Sequence, residues 1–313
     1  MTSTLPTAPP GALPITAVER ETGLSKDTLR VWEKRYGFPH PLRNAADDRL
    51  YPPEQVERLK RIRRLMDIGY RPGKVAHLDD AALQELLNKN PILSKTKKEI
   101  QPYAQQLEPL LAAIESHNGQ LLEEQLNHAL MRCGMASFVT QIVAPLTTAV
   151  GDAWAQGRFE VFEEHLYTEV VTNVLRSSLA GLRHTSALGQ PRVLLTTLPQ
   201  EQHGLGLLMV EALLTLDGCS CVSLGTQTPM SDIVRAAHAH HADVVALSFT
   251  NLHSASTVQT SLRTLRSELP ASTAIWVGGD CAALYQKPWE GVTALQTLEG
   301  LAALVRQWRE AAV

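Results

Sequence analysis

The chain has 313 residues, 44% apolar and 19% charged, the balance of an ordinary globular protein, with length for two or three compact units. A formal charge of −3 argues against a whole-surface polyanion binder, but the charge is divided: residues 1–80 hold 14 Lys/Arg against 11 Asp/Glu, net +3, and the remainder 15 against 21, net −6. A basic front on an acidic body leaves only the front to meet phosphate.

No apolar run of about 18 residues is apparent and no charged-then-apolar leader opens the chain, so neither a membrane span nor a membrane partner is expected, and the expected location is the cytoplasm. Cys133, Cys219, Cys221 and Cys281 lack CxxC spacing and read as free, buried thiols.

In chain order, residues 1–12 (MTSTLPTAPPGA) are rich in Pro, Ser and Thr and are expected to form a disordered tail. Residues 13–80 carry short helical segments separated by turn signals. Residues 81–105, which include the polar, Pro-flanked NPILSKTKKEIQPY, are expected to be a linker. Residues 106–188 repeat apolar positions every three or four residues, interrupted at Pro145 and Gly151 with Gly157 placed to end a helix, and predict a four-helix bundle. Over residues 189–313 the rhythm changes: RVLLTT, CSCVSL, DVVALSF and AIWVG are short apolar runs separated by helical patterns. Buried strands alternating with helices predict a doubly wound, parallel α/β domain.

In the front, ITAVERETGLSKDTLRVWEKRYGF reads as a short amphipathic helix, a turn at Gly23, and a second helix with Ser25 as N-cap. That second helix exposes Lys26, Thr28, Arg30, Lys34 and Arg35, a set able to enter a major groove and grip phosphate. Arg43 to Tyr51 is expected to form a β-wing and Arg58 to Arg64 a strongly basic helix. TGLSKDTLRVWEKRYG and RLYPPEQVERLKRI resemble the MerR family of winged helix-turn-helix regulators. The resemblance implies a DNA-binding helix that includes Arg30, Trp32, Arg35 and Tyr36, and a wing that includes Arg43, Arg49 and Tyr51. It also implies double-stranded operator DNA, bound by a dimer. AADD stands where such wings usually carry Gly, and the long dimerisation helix that usually follows the head is missing.

In the last third, His203 lies on the loop after the first strand, Ser248 and Thr250 follow a later strand, and Gly278 and Gly279 end another. In an open parallel sheet the ligand crevice lies beyond the carboxyl ends of the strands. An imidazole, two hydroxyls and a bare Gly-Gly backbone are thereby delivered to one edge. Imidazole suits cobalt-like metals, and Glu201 is placed to orient it. Glu201-x-His203-x-x-Gly206, then 41 residues, Ser248-x-Thr250, then 27 residues and Gly278-Gly279 is similar to the cobalamin-binding signature of methionine synthase and corrinoid mutases. The resemblance implies His203 as the lower axial cobalt ligand, with Ser248, Gly278 and Gly279 housing the displaced nucleotide tail. That family usually writes Asp at position 201 and Leu at position 250.

In the bundle, a helix hairpin brings Trp154 towards Glu164 and His165, a flat apolar ring beside a carboxylate and an imidazole. Trp154, nine residues, then Glu164-His165, set between a MerR-like head and a cobalamin-like tail, resembles the CarH/LitR-type light-dependent repressors. The likeness implies that Trp154, Val161, Glu164 and His165 surround the adenosyl group of adenosylcobalamin. It further implies a dark homo-oligomer, dimer or tetramer, that binds operator DNA and falls apart in light. Well-matched members have a cobalt-capturing His after the Trp, where this chain has Ala155. The readings weighed against this one are a methyl-shuttling corrinoid enzyme, which needs no DNA-binding head, and a MerR regulator whose cobalamin domain is vestigial or senses cofactor, another tetrapyrrole or a protein partner without a light-driven assembly switch. A non-enzymatic regulator is expected.

Overall fold

The computed structural model describes residues 11–44, 46–67, 69–88, 103–186, 189–251 and 253–311. Most of the expected tail and much of the expected linker lie outside these residues. Two compact units divide the chain, Met1–Leu93 and Ser94–Val313.

The first unit opens with β1 (Leu13–Pro14), α1 (Ile15–Thr22) and α2 (Lys26–Tyr36). Gly23 takes a left-handed φ of 66° to end α1, and the Ser25 side chain accepts the Thr28 N–H at 3.1 Å to start α2. β2 (Leu42–Arg43) and β3 (Arg49–Tyr51) form the wing, antiparallel with Arg43 opposite Arg49. α3 (Pro53–Asp67), α4 (Pro72–Val75) and α5 (Asp80–Asn88) follow. Leu29, Trp32, Tyr51, Leu59, Ile62 and Leu83 close one core.

α5 corrects the expected linker. Residues 81–88 belong to the head, because Leu83 and Leu87 lie one helical turn apart and are both buried in its core. The Asp79 carboxylate accepts the Ala82 N–H at 2.8 Å and starts the helix.

The second unit begins with four helices, α6 (Ala104–Glu115), α7 (Gly119–Phe138), α8 (Ala144–Ala155) and α9 (Val161–Ser186), the expected four-helix bundle. The stretch Gly119–Ala155 is, by length and a mean hydropathy of 1.4, apolar enough to cross a membrane, which corrects the expectation that no such run exists. Gly134 (φ 75°, ψ 163°) breaks its helix, a π-turn spans Val139–Val143, and Leu122, Leu126, Phe138, Ile142 and Leu146 serve the bundle core. Long apolar core helices satisfy the same criterion without meeting lipid.

The sheet then runs β4 (Arg192–Thr197), β5 (Ser220–Ser223), β6 (Val244–Ser248), β7 (Ala274–Gly278) and β8 (Val292–Leu295), all parallel, in the order β5-β4-β6-β7-β8. Alternation along the strands divides the core. Val193, Leu195, Val244 and Trp276 face α10 (Leu205–Leu216) and α13 (Leu301–Ala311), while Leu194, Val245, Leu247 and Ile275 face α11 (Met230–Ala239) and α12 (Ala255–Glu268). α10 is buried nearly all round, packed on β4 from one side and on α7 and α9 from the other, so bundle and sheet share a continuous core. Chain order reverses between β4 and β6, and the loops leaving those strands flank a switch-point crevice. All the cysteines are free as expected, but Cys133 and Cys221 are only half-buried.

Candidate functional site

The loop after β4 is pinned before it reaches the crevice: the Thr197 hydroxyl donates to the Glu201 carbonyl at 2.6 Å. The Glu201 side chain has no exposed surface, and its two oxygens serve different loops. Oε1 accepts the His203 N–H at 3.1 Å and meets His203 Nδ1 at 2.6 Å. Oε2 accepts the Thr250 N–H at 2.8 Å and the Thr250 hydroxyl at 2.5 Å, with His253 Nε2 at 3.5 Å.

Burial pushes this carboxyl's pKa up, but the contacts from His203, His253 and Thr250 outweigh it and hold the group well below the ordinary carboxylate range. The His203 ring is half exposed. A carboxylate on Nδ1 fixes the tautomer whose lone pair is on Nε2, the form a metal accepts.

The glycines leave bare backbone where side chains do not fit. A Cβ on Gly279, at φ 109°, would stand 2.2 Å from the Phe249 carbonyl oxygen, and one on Gly278 would stand 3.1 Å from that of Leu295. A Cβ on Gly206 would meet the Ser248 hydroxyl at 3.4 Å, so the first and second parts of the expected signature are neighbours. An outward imidazole backed by a buried ionised carboxylate, beside a glycine-lined cradle, fits a cobalt corrinoid. Thr250 is turned onto Glu201.

On the bundle, Gly157 (φ 75°) turns the chain and its N–H meets the Trp154 carbonyl at 3.0 Å. The Trp154 ring is half-buried and packs on the bundle core, and Ala155 beside it is buried. Glu164 accepts the Thr168 hydroxyl at 2.8 Å and stands 3.6 Å from the exposed His165 ring, an ionic rather than a hydrogen-bonded distance. His165 lines an open groove of about 730 Å³ with His117, Phe162, Leu166, Thr168 and Glu169, whereas Trp154 and Glu164 do not line it. Val161 is exposed at the start of α9.

Sequence reasoning missed Glu163, a buried carboxylate that accepts the Glu160 N–H at 2.6 Å and meets His117 Nε2 at 3.0 Å. It also missed His253, which stands outside the spaced signature and is marked only by its place on the crevice loop. The His238, His240 and His241 run is exposed, and among the described residues no group of three or more His, Cys, Asp or Glu is arranged to hold a metal ion.

In the head, α2 exposes Arg30, Lys34 and Arg35, and also Val31, an apolar side chain among cations that composition alone did not flag. Thr28 shares a hydroxyl contact with Ser25 at 2.8 Å, Lys26 pairs with Glu19 at 3.5 Å and Arg30 with Asp27 at 3.0 Å.

The structure places two of the expected DNA-binding residues in the core of the head: Trp32 and Tyr51 are 4% and 0% exposed. Tyr36 is half-buried edge-on to Trp32, with the Arg35 guanidinium over its ring. In the wing, Arg49 pairs with Glu33 at 2.8 Å and Arg43 with Asp47 at 3.2 Å. The turn keeps its shape without glycine because Asn44 Oδ1 accepts the Ala46 and Asp48 N–H groups while Asp47 takes a φ of 63°. The basic α3 run is largely engaged within the head: Arg58 with the Leu78 carbonyl, Lys60 with Glu21 and Glu57, Arg61 with Asp80.

Comparison with known proteins agrees with this division. Residues 13–82 match the MerR HTH family of regulatory proteins, residues 106–177 one B12-binding domain family and residues 191–306 another. The chain is 32% identical to the HTH-type transcriptional repressor CarH of Myxococcus xanthus over 266 residues, 84% of this chain and 87% of that protein. It is 30% identical to the repressor CarA of the same organism, covering 76% of each. The monomethylamine corrinoid protein of Methanosarcina barkeri shares the fold of the second unit, with a TM-score of 0.51 at 16% identity over 63% of this chain and 95% of that one.

Proposed function

The chain belongs to the CarH-type, MerR-family cobalamin-binding transcriptional repressors, and from that premise we propose that it is an adenosylcobalamin-dependent photoreceptor that binds operator DNA as an oligomer in the dark and releases it in light. The observation that carries this reading is the 2.6 Å contact of Glu201 with His203 at the switch point of a parallel sheet. In this account His203 is the lower cobalt ligand, Glu201 orients it, and Gly206, Ser248, Gly278 and Gly279 line the slot for the nucleotide tail. Thr250 acts through Glu201.

A corrinoid held there would supply a light-sensitive cobalt–carbon bond. Trp154 and Val161 cover the upper apolar surface, and Glu164 and His165 take its polar groups. Loss of that contact would free these side chains and weaken any assembly they hold, a ligand-biased equilibrium that light would reset. Position 155 offers a buried methyl group and no imidazole, so this position adds no second protein nitrogen to cobalt in the lit state.

The cobalamin-binding parts take up residues 106–188 and 189–313, and the head meets DNA through Lys26, Thr28, Arg30, Lys34 and Arg35 with Arg43 and Arg49 on the wing. The setting is the cytoplasm, with no membrane partner and no catalytic step. Ala155 and the separation of Trp154 from the His165 groove favour one second reading, a cofactor-sensing regulator without a light-driven change of assembly.

Purification in darkness with adenosylcobalamin, followed by absorption spectra and size-exclusion chromatography before and after green light, decides between them. The expected result is a bound corrinoid spectrum and a large dark species that becomes smaller on illumination. Absence of spectral uptake removes the cobalamin reading, and uptake with unchanged size leaves the second one.

A further inference from the structure

Behind the sheet edge sits a group the account above does not use. His253, on the loop after β6, has a side chain 2% exposed, its ring edge-on to Phe249 at 5.7 Å. Among the described residues its Nε2 is buried without a hydrogen-bond partner, and it stands 3.5 Å from Glu201 Oε2. Buried polar nitrogens are nearly always partnered, so one held just beyond hydrogen-bond reach of a buried carboxylate needs a physical reason.

The carboxylate's division of labour supplies it. Oε1 holds the His203 backbone and ring, while Oε2 faces the β6 loop through Thr250 and His253. Rotating the carboxylate to favour either loop loses the other, so what fixes Oε2 fixes where His203 points. Glu201 and Thr250 are also the two positions at which this chain departs from the usual Asp and Leu, and they touch at 2.5 Å. A leucine at 250 has no hydroxyl to donate, and an aspartate at 201 is one methylene short of the β6 loop.

We propose that Glu201, Thr250 and His253 form a positioning set for the cobalt ligand, with Glu201 and Thr250 matched to each other and His253 backing the inner oxygen. The inference rests on the cobalamin reading. None of the three touches cobalt; they act through His203.

The test is reconstitution of the full chain with cobalamin, reduction to the cobalt(II) state, and electron paramagnetic resonance, whose axial-nitrogen splitting reports the fraction with imidazole on cobalt. Absorption titration gives the affinity of the same samples. His203→Ala is the control for the underlying reading: if the wild type shows the same spectrum as that variant, the assignment of His203 fails. Given a wild-type imidazole signal, Thr250→Val and His253→Phe are expected to lower that fraction and weaken binding about tenfold, the lower end of what partners behind a metal ligand typically contribute. Thr250→Ser and His253→Gln, which keep a donor, are expected to stay within about twofold of wild type. Glu201→Asp and Thr250→Leu should each lose binding alone, and the double variant should recover part of it. Should His253→Phe fail to fold, the Thr250 variants and His253→Gln decide. Wild-type signals in Thr250→Val and His253→Phe, equal losses in the donor-keeping variants, or strictly additive losses in the double variant would overturn the proposal.

Discussion

The sheet edge and the bundle face hold their polar groups in opposite ways. At the sheet edge a carboxylate without exposed surface is fixed from two loops and holds the half-exposed imidazole at 2.6 Å. On the bundle, Glu164 and His165 stand 3.6 Å apart and the His165 side chain is 72% exposed. A pre-ordered ligand gives affinity because little ordering remains to be done on binding. A loosely held pair gives a switch, because covering and uncovering it changes its contacts. In the proposed reading, the difference gives affinity to the sheet edge and response to the bundle face.

The largest expected effect follows from the lower site. His203→Ala should weaken cobalamin binding by more than about 100-fold, beyond the 10–100-fold range of partners behind a ligand, by absorption titration. Retained affinity would move the cobalt ligand elsewhere.

Rigidity gives the next contrast. Gly279→Ala forces a Cβ to 2.2 Å from a backbone oxygen at φ 109° and should destabilise the protein by about 2–4 kcal/mol. Gly151→Ala on the exposed side of α8, with no heavy atom within 4 Å, should stabilise it by about 0.5–1 kcal/mol. Thermal melts of the two variants read both signs, and equal shifts would erase the contrast.

Trp154→Ala should leave the imidazole signature on cobalt unchanged while reducing the preference for adenosyl- over hydroxocobalamin about tenfold, about 1.4 kcal/mol, in competition titrations. A changed lower-ligand spectrum would show that the two faces are not separable.

The smallest effect lies at the opposite ends of β4 and β6, where Arg192 pairs with Asp243 at 3.0 Å. Burial pushes the Asp243 carboxyl up, but the Arg192 contacts prevail and leave it below its ordinary value. Its contribution to stability is therefore complete above the unfolded-state pKa of about 3.9 and is lost as pH falls through the lower folded value. Being partly exposed, the pair contributes little, and Asp243→Asn should flatten the acid limb of melting temperature against pH only slightly.

Much of this was legible in the sequence because it is periodic or punctuated. The short apolar runs RVLLTT and DVVALSF mark strands buried on both faces, Gly23 and Ser25 mark the turn of the head, and the spacing of Glu201, His203, Ser248 and Gly279 marks the crevice. What was not legible depends on which way a side chain turns. Trp32 and Tyr51 belong to a DNA-binding motif yet hold its core, and the α3 cations are spent on carboxylates and carbonyls of their own unit. α5 was masked by the polar residues that follow it, although Asp79 and the Leu83–Leu87 pair state a cap and a buried face. His253 lies at no fixed spacing in the signature, and only the closing of two loops on Glu201 brings it into view.

The most direct test of the central claim is operator binding by one sample in two states. Duplexes selected on the dark adenosylcobalamin-loaded protein should bind it with high affinity in darkness by fluorescence anisotropy, and the same sample should release them after green light while the protein alone in darkness does not bind. Equal affinity before and after illumination, with the corrinoid spectrum changed by light, would contradict the account.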